Sequence, residues 1–170
     1  DPALALFDIA DDRNFYETGK SFAKEMVTGF LRLDGQVIGA VANRTECIGE
    51  DGKAVQKFDV ALTERGCKKA AKFVWFCDAF GIPVLTLTNT EGFAATVCEE
   101  RRLSENAATL VSAFAGATVP KVNIITQKAY GSPYVIMNSK AIGADLTFCL
   151  ADTEIGVMDA DFAARILSAG

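Results

Sequence analysis

The sequence predicts an α/β fold in which units of strand, glycine loop and helix follow one another in a superhelical arrangement. Residues 122–126 (VNIIT) form a short, apolar, β-branched run that leads through Gly131 into a helix start. Residues 84–88 (VLTLT) lead through Gly92 toward a helix that begins near Glu99. Repeated units of this kind place several strand ends, with their backbone N–H groups, along one face.

The other elements follow from local patterns. Residues 22–33 and 36–43 are strand-like, and the Asp34-Gly35 pair between them is the strongest short hairpin signal. Residues 45–57 are polar and contain glycine, which indicates a loop. Apolar periodicity predicts helices over 63–80, where Gly81 follows as a stop, and over 99–115 and 158–168, and an apolar run predicts a strand over 145–150.

Composition limits the classes of function. The chain has 170 residues, enough for one domain, with 50% hydrophobic residues and a net charge of −5. Lys and Arg number 17 against 22 acids and form no basic stripe, which argues against nucleic-acid binding. We find no run of about 18 apolar residues and no signal peptide, so we expect no direct membrane insertion.

Histidine is absent, and this narrows the possible chemistry. Ser-His-Asp and Cys-His catalysis and HExxH metal sites are excluded, so backbone amides, carboxylates or hydroxyls must act. The five cysteines are odd in number and widely spaced, and they suggest neither a disulfide framework nor a metal site. We therefore expect no metal and a reducing, cytoplasmic location.

The segment 128–134 (KAYGSPY) is the most informative part of the chain. Gly131 allows a tight turn, Ser132 is a natural N-cap, and Pro133 is a natural first residue of a helix that runs to about Ser139. A strand, a glycine turn and a helix N-terminus form a site suited to an oxyanion. The alternative is that Gly-Ser-Pro only starts a helix.

Three long motifs resemble one family in the same order and at compatible spacing. They are TGFLRLDGQVIGAVANR (28–44), AAKFVWFCDAFGIPVLTLTNTEGF (70–93) and ATVPKVNIITQKAYGSPYVIMNSKAIGAD (117–145). The resemblance is to the C-terminal half of the carboxyltransferase subunit of biotin-dependent acyl-CoA carboxylases and decarboxylases, of the propionyl-CoA carboxylase beta and methylmalonyl-CoA decarboxylase alpha type.

This resemblance implies a crotonase-like (ClpP/crotonase) ββα superhelix. It also implies transfer of a carboxyl group between carboxybiotin and the α-carbon of a short acyl-CoA such as propionyl-CoA or acetyl-CoA, with the C-terminal half supplying the oxyanion hole on the biotin side. Biotin is then the cofactor, carried by a partner, and coenzyme A is part of the substrate. The residues implied are catalytic Gly131, Ser132 and Pro133, and substrate-binding Gly92, Phe93, Tyr134 and Val135.

The same resemblance implies the organisation of the protein. Residues 1–170 are expected to be a single C-terminal half-domain, with the N-terminal half that binds coenzyme A absent. The implied partners are that N-terminal carboxyltransferase half, a biotin carboxyl carrier protein, and biotin carboxylase or membrane decarboxylase subunits. We expect the chain to form a homo-oligomer through small-residue helix faces and to catalyse poorly alone.

The sequence departs from the family pattern at three places. Pro133 stands where the pattern Ala-Tyr-Gly-Gly-Ala-Tyr has its second alanine, so one N–H donor is missing. Residues 89–93 read Asn-Thr-Glu-Gly-Phe where many relatives have Asp-Val-Pro-Gly-Phe, and Glu91 there is expected to be solvent-exposed. Val135 replaces a common aspartate beside the acyl pocket, which affects substrate preference.

Two other functions remain open at this stage. One is a non-catalytic module for assembly or for docking a biotin carrier, which the loss of a donor at Pro133 favours. The other is an acyl-CoA hydratase of the crotonase type, for which Glu99, Glu100 and Glu154 are the candidate acids, although their spacing gives no support.

Overall fold

The computed structural model describes residues 1–49 and 51–168. The helices are α1 (Pro2–Ile9), α2 (Glu64–Ala79), α3 (Val97–Glu100), α4 (Leu103–Gly116), α5 (Gly131–Ile136) and α6 (Ala160–Ser168). The strands are β1 (Phe15–Thr18), β2 (Met26–Leu33), β3 (Gln36–Asn43), β4 (Glu46–Ile48), β5 (Ala54–Lys57), β6 (Ala61–Leu62), β7 (Val84–Thr90), β8 (Gly92–Phe93), β9 (Lys121–Tyr130), β10 (Leu146–Cys149) and β11 (Glu154–Gly156).

In the described part of the chain, seven strands form the main sheet, in the order β1-β2-β3-β7-β9-β10, and β11 pairs with the end of β9. β1, β2 and β3 are antiparallel, whereas β3, β7, β9 and β10 run parallel. All seven residues of β7 are buried, as is typical of a central parallel strand covered on both faces, although its sequence VLTLTNT also contains threonine and asparagine. The carboxyl ends of β3, β7 and β9 therefore lie at one edge of the sheet.

The predicted hairpin is confirmed, but its first strand starts later than expected. Leu33 pairs with Gln36, and both turn residues have positive φ, 50° at Asp34 and 80° at Gly35, as a type I′ turn requires. β2 begins only at Met26 because the residues before it form turns.

The buried Lys69 ammonium holds those turns to α2. Its Nζ donates to the carbonyl oxygens of Phe22 at 2.9 Å, Ala23 at 3.2 Å and Met26 at 2.6 Å. Burial lowers the pKa of Lys69, and the three acceptors offset part of the cost of burying its charge. The sequence pattern, which places Lys69 on a polar face, does not reveal this role.

Helices cover both faces of the sheet. α2 starts after Thr63, whose hydroxyl accepts from the N–H of Gly66 at 2.8 Å, and ends before Gly81, as predicted. It packs with α4 and α5 on one face, around a core that includes Val74, Leu110 and Phe114. α1 covers the other face of the sheet.

Two predictions from loop and helix patterns need correction. The expected loop over residues 45–57 contains the β4–β5 hairpin, whose strands pair antiparallel on the surface. The expected helix over residues 99–115 is broken into α3 and α4, because Arg101 and Arg102 lie in a turn between them.

A second, small parallel sheet joins β6 to β8. The expected loop over residues 89–93 thus contributes a short strand, and β7, β8 and α4 form one unit of two strands and a helix. This order is the ββα pattern that the family resemblance implies. None of the described helices is long and apolar enough to cross a membrane.

Candidate functional site

The predicted glycine turn lies at the carboxyl end of β9. Strand pairing continues to Tyr130, and Gly131 then adopts a φ of +59° as the chain enters α5. A Cβ at Gly131 would lie 3.2 Å from the carbonyl oxygen of Val157, in a backbone conformation that side chains rarely adopt. The tight turn at Gly131 is thereby confirmed, and its geometry strongly favours glycine.

The start of the helix differs from the prediction for Ser132. α5 begins at Gly131, its N-cap is Tyr130, and no side chain caps it. The helix ends at Ile136 rather than Ser139, because Asn138 has a left-handed φ of 54°. In such a helix the N–H groups of Gly131 and Ser132 lack intrahelical acceptors, and Pro133 has no N–H.

The structure brings the two predicted site segments together. α5 packs against β8, so the segment that begins at Gly131 lies beside Gly92 and Phe93. Gly92 and Phe93 are half-buried, and so is Gly131. The other predicted residues differ in exposure: Ser132 is exposed, Pro133 is buried, Tyr134 is half-buried and Val135 is exposed.

An ion pair links the loop after β7 to β9. Lys128 Nζ lies 2.5 Å from Glu91 Oε1, and this hydrogen bond raises the pKa of Lys128. The interpretation of Glu91 as a simple solvent-exposed charge is therefore incomplete: the carboxylate is exposed but has a partner. The pair lies close to the site because Lys128 is three residues before Gly131.

A second contact fixes the strand that lies behind the turn. The Tyr130 hydroxyl donates a hydrogen bond to Glu154 Oε2, and β11 pairs with β9 over the same residues. The bond to Glu154 raises the pKa of Tyr130 to about 12, so the phenol stays neutral at physiological pH. Local sequence patterns do not predict this contact, because they present Glu154 only as a candidate acid.

A β-bulge interrupts the pairing of β7 with β9 at Asn89, beside the site. The Asn89 side chain donates to Gln127 Oε1 at 2.9 Å and accepts from the N–H of Lys128 at 3.2 Å. Its own N–H donates to Asn43 Oδ1 at 3.2 Å. The asparagine that replaces the common aspartate thus supplies the donor and acceptor that hold the bulge.

Two buried cysteines and two of the candidate acids are poorly suited to catalysis here. Burial raises the pKa of Cys67 and of Cys77 to about 12, so neither thiol ionises at neutral pH. Glu99 accepts from the N–H of Glu64 at the start of α2, whereas Glu154 is bound to Tyr130. Among the residues that the structure describes, no group of three metal-ligating side chains comes together.

Comparison with known proteins identifies the family. The family model described as carboxyl transferase domain matches residues 1–170. A putative propionyl-CoA carboxylase beta chain of Bacillus subtilis is 44% identical over 168 residues, which cover 98% of this chain and 31% of that protein. The human mitochondrial propionyl-CoA carboxylase beta chain is 36% identical over 166 residues, 97% of this chain and 29% of that protein.

Solved structures agree with these relatives. The transcarboxylase 12S hexamer with hydrolysed methylmalonyl-coenzyme A bound gives a TM-score of 0.88 at 33% identity, over 99% of this chain and 32% of that one. The beta subunit of Pseudomonas aeruginosa geranyl-CoA carboxylase gives 0.81 at 26% identity, over 95% and 29%. The predicted crotonase-like fold is confirmed by these matches.

The extent of the match is uneven. The chain is covered almost completely, but it spans 31% of the length of the Bacillus relative and 29% of the human one. The resemblance seen in the three sequence motifs is confirmed over the whole chain. The chain therefore belongs to the carboxyl transferase domain family.

Proposed function

We propose that this chain is the biotin-side half of a carboxyltransferase site, which moves a carboxyl group between carboxybiotin and the α-carbon of a short acyl-CoA. The observation that carries the proposal is the Gly131 turn at the end of β9, where a left-handed glycine opens α5 within a chain that matches the family from end to end. The fold alone would not suffice, since crotonase-type folds host several activities.

The available donors suit an oxygen that gains negative charge. Biotin supplies the carrier of the carboxyl group, and its ureido oxygen becomes more negative when that group leaves. The backbone N–H groups of Gly131 and Ser132 are the first-turn donors that we propose for such an oxygen, and fixed donors of this kind need no histidine. Pro133 supplies no donor, so this half of the site relies on fewer N–H groups than the family pattern provides.

The acyl pocket is proposed to lie on the same side of α5. Tyr134 and Val135 follow the turn, and Gly92 and Phe93 come from the adjoining β8. Val135 presents an apolar, partly exposed side chain where the family often has a carboxylate. Because the propionyl and acetyl enzymes of this family commonly have that carboxylate, we expect Val135 to change the preference among short acyl-CoA esters such as propionyl-CoA and acetyl-CoA.

The partners are also proposals. The half that binds coenzyme A must come from another segment or subunit, and a carrier protein must bring the biotin. A broad set of exposed apolar side chains supports association with further protein, and we propose a homo-oligomer. Several of them lie on or next to β10, β11 and α6: Leu146, Phe148, Leu150, Ile155, Phe162 and Ile166. We propose these side chains, together with the small-residue helix faces, as the surfaces of association. We propose a cytoplasmic location because the described cysteines are free thiols.

The test is the reverse reaction with free biotin. The full-length protein that carries this chain, and residues 1–170 alone, are mixed with biotin and with malonyl-, methylmalonyl- or glutaconyl-CoA, and carboxybiotin is measured. We expect transfer by the full-length protein only, with the preferred donor naming the acyl group. No transfer with any donor by a folded full-length protein would refute the proposal.

That negative outcome would favour the second candidate function. Because Pro133 removes a donor, a non-catalytic module that docks a biotin carrier remains consistent with the site. Binding of a biotinylated carrier domain without carboxyl transfer would support this candidate, and titration calorimetry with the biotinylated and biotin-free carrier would measure it.

A further inference from the structure

The protein interior beneath α5 is polar, although an apolar core would be the simpler solution. Thr86 and Thr88 of β7 and Asn123 of β9 have no solvent-exposed surface, and neither has Asn138, which lies two residues after α5. These four side chains form a buried polar cluster. It lies on the side of the sheet that carries α5, at the end of the helix opposite to Gly131.

Hydrogen bonds connect the buried polar cluster to both β7 and β9. Asn138 Nδ2 donates to Thr86 Oγ1 at 3.0 Å and lies 3.3 Å from the carbonyl oxygen of Val122. It therefore bridges β7 and β9, which are adjacent and pair Thr86 with Asn123. The C-terminal end of α5 is thus attached to two central strands through one side chain.

A second contact repeats the attachment one residue earlier. The Thr88 hydroxyl donates to Asn123 Oδ1 at 2.8 Å and also lies 3.3 Å from the carbonyl oxygen of Met137. Consecutive residues after α5 therefore contact the sheet through polar groups. The helix between this attachment and the Gly131 turn is only six residues long, so a shift at its C-terminal end also moves the turn.

This arrangement is costly. Asn138 holds a left-handed φ of 54° in a buried position, which costs free energy for any residue except glycine. Asn123 Nδ2 and Asn138 Oδ1 have no hydrogen-bond partner among the described residues. Buried polar atoms without hydrogen-bond partners destabilise a fold, so a cluster with a purely structural role would be more stable if its side chains were apolar.

We infer that Asn138, through its bond to Thr86, is a positioning residue that sets where α5 and the Gly131 turn stand relative to the sheet. The inference rests on the proposed function and names residues that set the geometry of that same site. Asn138 contacts no substrate in this role. It acts through α5, and a displacement of the turn by a fraction of an ångström weakens a fixed oxyanion donor.

The test breaks the same bond from each side in the full-length protein. Asn138→Gly keeps the left-handed backbone and removes the amide, whereas Thr86→Val keeps the shape and removes the acceptor. For both we expect kcat of biotin carboxylation to fall about tenfold or more while KM for the CoA ester stays within about twofold. Thr86→Ser, which restores the hydroxyl, should recover most of kcat.

A readout independent of activity accompanies the kinetics. Amide hydrogen exchange of residues 134–136, the first N–H groups after the Gly131 turn that are hydrogen-bonded within α5, should accelerate about tenfold or more in both variants, while exchange at the centre of β7 changes little. Asn106→Ala is the matched control: it removes a buried amide that donates to Glu64 Oε2 at 2.6 Å, away from α5. Asn106→Ala should lower the stability of the protein without altering kcat or the amide exchange of residues 134–136.

Unchanged kcat per folded molecule, or unchanged exchange at residues 134–136, would overturn the inference. So would an equal loss of kcat in Asn106→Ala, since that would mean that general destabilisation is enough. If the wild-type protein transfers no carboxyl group, the proposed function fails by itself, and the exchange measurement still decides whether Asn138 positions the turn.

Discussion

Replacing Pro133 by alanine should raise the rate of carboxyl transfer while lowering the stability of the fold. Pro133 is the third residue of α5, and its carbonyl oxygen already accepts a hydrogen bond from Met137 at 3.2 Å. Its nitrogen carries no hydrogen, so the first turn lacks one of its donors. Alanine restores this N–H and is the residue that the family pattern has at this position.

The two effects have different sizes. One well-placed oxyanion donor is worth about 2.7–4 kcal/mol, or roughly 10²–10³ in rate, and this sets the upper limit of the gain at position 133. The buried proline ring has about two more carbon atoms than alanine to keep from water, and it restricts the unfolded chain, so Pro133→Ala should cost about 2 kcal/mol of stability. Activity and stability should therefore move in opposite directions.

The assay is biotin carboxylation by the full-length protein, well below the melting temperature, together with urea unfolding. Pro120→Ala is the matched control, because Pro120 is exposed and lies at the opposite end of β9 from Gly131. We expect kcat to rise about tenfold or more for Pro133→Ala and to stay unchanged for Pro120→Ala. A kcat within about twofold of the wild type for a folded Pro133→Ala protein would refute the claim that the residue 133 amide serves the site.

Three further predictions concern the scaffold and are read by urea unfolding. Gly39→Ala would place a Cβ 2.5 Å from the sulfur of Cys77 and should lower the free energy of unfolding by about 1–3 kcal/mol. Adding Cys77→Ala should recover part of this loss, and strictly additive effects of the two substitutions would contradict the prediction. The Asp78 carboxylate accepts a hydrogen bond from the Thr118 N–H at 2.6 Å, and this bond lowers the pKa of Asp78, so the carboxylate stabilises the fold above the unfolded pKa and loses this effect as pH falls through the folded pKa. The loss of unfolding free energy in Asp78→Asn should therefore shrink from pH 7 to about pH 3. A loss that does not change with pH would contradict this prediction. Lys69→Met should cost about 3 kcal/mol because three carbonyl oxygens lose a charged donor, and a cost under about 1 kcal/mol would show that solvent replaces it.

Much of the fold could be predicted because short-range rules decide it. The Asp34-Gly35 turn needs two residues with positive φ, and Thr63 and Gly81 are strong signals for the start and end of a helix. The tight turn at Gly131 followed from the same reasoning. In each case the residues that determine the structure lie within a few positions of one another in the sequence.

The remaining features depend on contacts between distant residues. Ser132 does not cap α5, because Tyr130 is still held in the sheet by β11 when the helix begins. The bond from Tyr130 to Glu154 joins residues that are 24 positions apart, and the bond from Asn138 to Thr86 joins residues 52 positions apart. Single-sequence patterns carry no information about such pairs, and so the support of the site was not predicted.

These long-range contacts bear on the choice between an active site with fewer donors and a docking module. A turn that merely started a helix would not need buried polar atoms without partners at the other end of that helix, although the left-handed Asn138 also serves to end α5. The chain retains these unpartnered polar atoms although Pro133 has removed one donor from the turn. A destabilising arrangement that holds α5 in place is best explained if the placement of the remaining N–H groups matters. This favours carboxyl transfer with the donors of Gly131 and Ser132 over docking alone.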